Sequence, residues 1–88
     1  MTGRVADFQR YEVVLQVDFD LLDDDGCAWA SMRFRKGPAP PEPGDLVYLM
    51  DGEGHGCVAS VERVEGWYVC VKPDWSTWVG DRLPSAAA

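Results

Sequence analysis

Four side chains in this sequence are of the types that metal or nucleophilic chemistry needs: Cys27, Cys57, Cys70 and His55, the single histidine. Brought together they would form a tetrahedral zinc set, because zinc takes thiolate and imidazole ligands. Their spacing argues the other way. There is no CxxC pair, glycines flank His55 on both sides, and three thiols do not make a disulfide framework. A Cys–His nucleophile would also need a third group to orient the base, and a pocket. The expectation is buried, reduced cysteines, with no catalytic residue, no metal and no cofactor.

The acids are the second chemical resource. Asp18, Asp20, Asp23, Asp24 and Asp25 precede Gly26, but a calcium loop needs acids at alternate positions and a closing bidentate Glu. The spacing is wrong and that Glu is missing, so the run reads as a solvated hairpin tip. Asp51-Gly52-Glu53-Gly54-His55-Gly56 has the glycines of a phosphate cradle without a following Lys, and its own acids would repel an anion. It reads as a glycine-rich turn.

The aromatic residues are the most informative set. Trp29, Trp67, Tyr68, Trp75 and Trp78 would each cover about 150–250 Å² if enclosed, more than an 88-residue domain readily buries. Exposed Trp and Tyr beside carboxylates can hold a cation, a proline-rich peptide or a sugar face. Tyr68, Asp74, Trp75, Trp78 and Asp81 are therefore the candidate partner-binding residues. Two other roles compete for the same rings. Trp75 and Trp78 could plug the open end of a small barrel, or exposed aromatics could mark a homo-oligomer interface.

These side chains must be positioned by strands. From Tyr11 to Phe19 the apolar residues Tyr11, Val13, Leu15, Val17 and Phe19 alternate with Glu12, Gln16 and Asp18, which is the period of a half-buried strand. Asp25-Gly26 suits a hairpin turn, and Cys27 to Arg35 reads as the return strand. Residues 37–44 contain four prolines and form a stiff surface connection. Leu46–Met50 and Cys57–Val64 follow as strands. The three-residue spacing of Val58, Val61 and Val64 sets a bulge or helical turn against a plain strand. Trp67–Val71 is rich in strand formers, with Trp67, Val69 and Val71 expected inward and Tyr68 outward. Pro73-Asp74 is expected to close that element, leaving Trp75–Val79 as a short last strand or a helical turn. The result is an all-β domain, a small five- to six-stranded antiparallel barrel over residues 11–80. Residues 1–10 and 81–88 are expected to be flexible ends.

The stretch from Pro43-Gly44-Asp45-Leu46-Val47-Tyr48 through Gly54-His55-Gly56-Cys57-Val58, Val61 and Trp67–Val71 resembles an SH3-like barrel of the KOW and Tudor type. In that pattern a Gly-Asp turn precedes a short strand, a glycine precedes an x-Val-x-x-Val strand, and a third strand follows a tight turn. The likeness covers about a third of the chain and implies the architecture. KOW modules that bind RNA are basic, whereas this segment carries Asp45, Asp51, Glu53, Glu62 and Glu65.

Composition narrows the function. Fifteen acids against eight bases give a net charge of −7, which opposes a general phosphate-binding surface because nonspecific nucleic-acid affinity comes from Lys and Arg. Arg33, Arg35 and Lys36 are the only basic cluster and keep a ribosome- or nucleic-acid-associated module as the alternative. With 47% hydrophobic residues the chain is not disordered as a whole. No apolar run approaches the roughly 20 residues of a membrane span, and nothing near Met1 resembles a signal peptide. A cytoplasmic location follows. The absence of Ile and Asn, with Lys only at 36 and 72, fits a GC-rich bacterial genome. The reading is a non-enzymatic protein-interaction or accessory module whose aromatic and acidic surface selects a basic or proline-rich protein partner. A small metal-binding or thiol-dependent protein is the further alternative.

Overall fold

A computed structural model describes residues 13–34, 40–81 and 83–84. Residues 1–12, Arg35 and Lys36 lie outside it, as does most of the expected C-terminal tail. The described residues form five strands: β1 (Val14–Gln16), β2 (Ala28–Ser31), β3 (Leu46–Met50), β4 (Gly56–Glu65) and β5 (Tyr68–Val79). A 3-10 turn, Met32–Phe34, follows β2. No helix among these residues is long and apolar enough to cross a membrane.

The all-β expectation holds, but two of its details are corrected. The strands make one sheet in the order β1-β3-β4-β5-β2, with β1 and β2 at its edges, so the hydrogen-bonded ladder does not close into a barrel. Nor is the sheet purely antiparallel, because β1 runs parallel to β3, with Leu15 opposite Leu49. Among the described residues, the expected hairpin between Tyr11–Phe19 and Cys27–Arg35 does not form, since β1 pairs with β3 and β2 with β5. The Asp23–Gly26 turn does form, with Gly26 at φ 79 and the Asp23 carboxylate accepting from Asp25 N and Cys27 N at 2.9 Å each. A second turn intervenes, in which the Asp18 carbonyl accepts from Leu21 N and its carboxylate from Asp20 N. That turn peels the chain off the ladder before a hairpin register can be set. The intervening 17–45 segment then serves as the long crossover that a parallel pair requires.

Alternation correctly marks the buried face of the first strand. Leu15, Val17 and Phe19 point into one cluster with Ala28, Ala30, Val47, Leu49, Cys57, Ala59, Val61, Val69 and Val71. Leu15, Val47, Leu49, Val69 and Val71 are wholly enclosed, and each contributes about 1.5–3 kcal/mol by leaving water. The competition at Val58–Val64 resolves as a bulge. The register slips between Val61, opposite Val71, and Arg63, opposite Cys70.

Trp67 does not point inward. Glu65 pairs with Tyr68, leaving Gly66 (φ 62) and Trp67 as a two-residue turn, and the indole is 72% exposed. A glycine with positive φ at the first turn position matches a type II′ hairpin, so the inward set begins at Val69. Pro73 does not end its strand either. It is buried opposite Ala59, and β2 pairs with β5 only over Tyr68–Val71. From Lys72 onward one flank of β5 has no ladder partner among the described residues, and proline's missing donor is tolerated there.

Candidate functional site

Three elements converge at one end of the sheet: the segment after β1, the β3–β4 turn, and the last third of β5. The key local feature is a wide bulge in β5. Val58 lies opposite Asp74 and Gly56 opposite Val79, so Trp75, Ser76, Thr77 and Trp78 all face the single residue Cys57. The excursion is held by its own polar side chains. The Asp74 carboxylate accepts from Ser76 N (3.1 Å) and Ser76 Oγ (2.6 Å). Thr77 Oγ1 donates to the Asp74 carbonyl (2.7 Å) and accepts from Val58 N (2.8 Å).

The bulge decides where the tryptophans go. On a regular strand, residues three apart point to opposite faces. Here Trp75 and Trp78 lie together, with ring centroids 5.7 Å apart, and both meet Phe19 edge-on, at 6.1 and 4.9 Å. Phe19 is buried, and both indoles are half-buried against the core.

The β3–β4 turn brings His55 to the same place. Gly52 and Gly54 have φ of 81 and 93, a region that glycine enters without steric cost. The Asp51 carboxylate organises the turn: Oδ1 accepts from Glu53 N (2.7 Å) and His55 N (3.2 Å), while Oδ2 lies 2.6 Å from His55 Nδ1. The imidazole stacks on Trp78, with centroids 5.5 Å apart and planes within 13°. Gly80 permits that stack, since a Cβ there would collide with the His55 ring.

The hydrogen bond to Asp51 raises the His55 pKa above 6.5 against an opposing effect of burial, and the charges of Asp51, Asp81 and Glu53 raise it further. Burial pushes the Asp51 carboxyl upward, but the donors from Glu53 and His55 outweigh it and hold the group below 3.8.

The open cleft between these elements is lined by Asp18, Asp20, Asp51, Glu53 and Asp81, with Phe19, Trp29 and Trp78 among its walls. Neither Lys nor Arg occurs among its described lining residues. Such a cleft focuses negative potential and attracts a cation.

Of the expected binding residues, Trp78 and Asp81 line this cleft, and Trp75 packs beside Trp78. Asp74 is committed to holding the bulge. Tyr68 is 55% exposed at the opposite end of β5, next to Trp67, and does not share a surface with the other four. Sequence reasoning missed Asp51, Glu53, His55 and Phe19. A signal was present, because the acids of the glycine-rich turn that repel a phosphate are the ones that favour a cation. The four-residue zinc set does not assemble. Cys57 is enclosed in the core, where burial pushes its thiol up to about 12. His55 faces the cleft, while Cys27 and Cys70 meet elsewhere, beside Asp23. Arg33 is exposed, and Arg35 and Lys36 lie outside the described residues.

No protein-family model matches this chain, and neither a curated protein nor a solved structure matches it.

Proposed function

We propose that this chain is a non-catalytic interaction module that takes up a positively charged segment of a partner protein in the cleft between the 18–20 turn, the 51–55 turn and the end of β5. The observation that carries the reading is the cleft's composition: five carboxylates with aromatic walls, and no described lysine or arginine to compensate them. A guanidinium or ammonium group gains from the carboxylates by Coulomb attraction and from the Trp face by its quadrupole. A proline next to the charge suits the same walls, because aromatic grooves receive preformed proline-rich segments. The SH3-like likeness of Pro43 to Val71 is compatible with this reading, since β3, β4 and β5 are consecutive antiparallel neighbours. Catalysis by the thiols is disfavoured, as Cys57 and Cys70 are pushed up to about 12 and about 11, chiefly by burial.

Calorimetric titration with an Arg-Pro repeat peptide tests the reading, with Glu-Pro and Ser-Pro repeats of equal length as controls. The Arg-Pro peptide binds saturably, and the triple variant Asp20→Asn, Glu53→Gln, Asp81→Asn binds it more weakly. Each exposed charge contributes about 0.2–1 kcal/mol, so the combined loss is about 3- to 150-fold. Equal binding of all three peptides, or an unchanged constant in the triple variant, would overturn the proposal.

A further inference from the structure

Cys27 and Cys70 come together on the face of the sheet opposite the core cluster. Trp29 sits opposite Cys70 in the β2–β5 ladder, and Cys27, two residues earlier, is its diagonal neighbour on the same face. Burial, and the Cys27 thiol lying beside it, push the Cys70 thiol up to about 11. A carboxylate oxygen of Asp23 joins the two sulfurs, and all three atoms lie within 4.8 Å of one another. Both cysteines are free and buried.

From these observations we infer that Cys27, Cys70 and Asp23 form a binding site for a single thiophilic divalent cation of the zinc class. None of these three residues lines the proposed partner cleft, and the two sites share only the Trp29 indole, which bonds Asp23 and forms one cleft wall. Three features carry it.

The donor set is one that zinc takes: two sulfurs and a carboxylate oxygen, with the fourth tetrahedral position left to water. Spacing is the second. Zinc–sulfur bonds of about 2.3 Å at a tetrahedral angle separate two sulfurs by about 3.8 Å, within the span of the present cluster. A disulfide fits less well, because diagonal neighbours have Cα atoms about 7–8 Å apart, beyond the usual reach of about 6.8 Å.

The third feature is that the carboxylate is already held in place. Asp23 Oδ1 accepts from Asp25 N and Cys27 N, and Oδ2 accepts from Trp29 Nε1 at 3.1 Å. A carboxylate offers about four acceptor positions, so one remains at Oδ2 for a metal. Trp29 is in turn capped by the Arg63 guanidinium, 5.3 Å from its ring. These outer contacts fix ligand orientation as second-shell groups do in metal sites. Binding displaces one proton from each thiol, so the bound group is a dithiolate–carboxylate and two protons are released.

The test is titration of the reduced, metal-free protein with Co²⁺ and then Zn²⁺, followed by absorption and native mass spectrometry. One cobalt binds per chain with thiolate-to-cobalt charge-transfer absorption and the visible bands of a tetrahedral ion, and zinc bleaches both. Outer contacts alone are worth about 10–100-fold in affinity, so Cys27→Ser and Cys70→Ser each lose more than about 100-fold. Cys57→Ser binds as the parent does. The charge-transfer band of the parent reports sulfur ligation even where a variant fails to fold. Absence of binding, binding without that band, or binding that survives Cys70→Ser but is lost in His55→Ala would overturn the inference. So would conversion of the pair to a disulfide with no uptake of metal.

Discussion

Replacing Thr77 with valine isolates the bulge that gathers the tryptophans. The two side chains have nearly the same shape, so the substitution removes one hydroxyl and little else. That hydroxyl makes two bonds, accepting from Val58 N at 2.8 Å and donating to the Asp74 carbonyl at 2.7 Å. Val58 is buried, and its N–H faces the excursion rather than a regular ladder partner. Leaving a buried donor unsatisfied costs about 1–3 kcal/mol, and the Asp74 carbonyl can regain a partner from water. For a domain of this size each kcal/mol moves the midpoint by about 4–8 °C. Thr77→Val therefore melts about 4–24 °C lower than the parent, measured by circular dichroism with tryptophan emission followed in parallel. Thr77→Ser keeps the hydroxyl and stays close to the parent. Equal stability of Thr77→Val and the parent, or equal losses in the two variants, would refute the idea that this hydroxyl holds the bulge.

Further consequences follow from other contacts. At Gly56 an added Cβ would stand 2.6 Å from the Tyr48 hydroxyl and 2.9 Å from the Leu49 carbonyl, so Gly56→Ala costs about 1–3 kcal/mol as overpacking does, readable in urea denaturation. Leu49→Ala empties a wholly enclosed position and costs about 2–5 kcal/mol, with an unchanged urea slope showing that the denatured state is not altered. Folding raises the His55 pKa, so the contribution of the Asp51–His55 pair is complete below 6.5 and fades as pH climbs through the raised value. Asp51→Asn moves the His55 midpoint back toward 6.5 in an NMR titration, and an unmoved midpoint would show that the carboxylate is not its cause. Protonated His55 also places a positive charge at the cleft, so an Arg-Pro peptide binds more weakly below the His55 midpoint than above it.

The legible parts of the fold were those governed by period-two burial. Leu15, Val17 and Phe19 are buried as alternation requires, as are Val69 and Val71. Strand partnership was not legible, because alternation fixes which face is buried but not which neighbour supplies the ladder. The local turn at Asp23–Gly26 suggested a hairpin that the Asp18–Leu21 turn prevents. At the site, Trp78 and Asp81 could be singled out as an aromatic beside an acid. Joining them to His55 and Asp51 depended on the four-residue bulge, whose hydrogen bonds link Thr77 to Val58, 19 positions away. Tyr68 joins Trp75 and Trp78 in the sequence only as another aromatic expected to face outward, but a 12-residue strand puts them at opposite ends. The Cys27–Cys70 meeting was equally hidden, since it arises from β2 pairing with β5 rather than with β1.

The four indole N–H resonances of Trp29, Trp67, Trp75 and Trp78 offer the most direct view of where a basic segment docks. With uniformly ¹⁵N-labelled protein and rising Arg-Pro peptide, the account predicts saturable shifts of Trp78 and Trp29, accompanied by the amides of Glu53, His55 and Asp81, while Trp67 stays still. Shifts confined to Trp67 and the neighbouring Tyr68 amide, at the far end of β5, would contradict it.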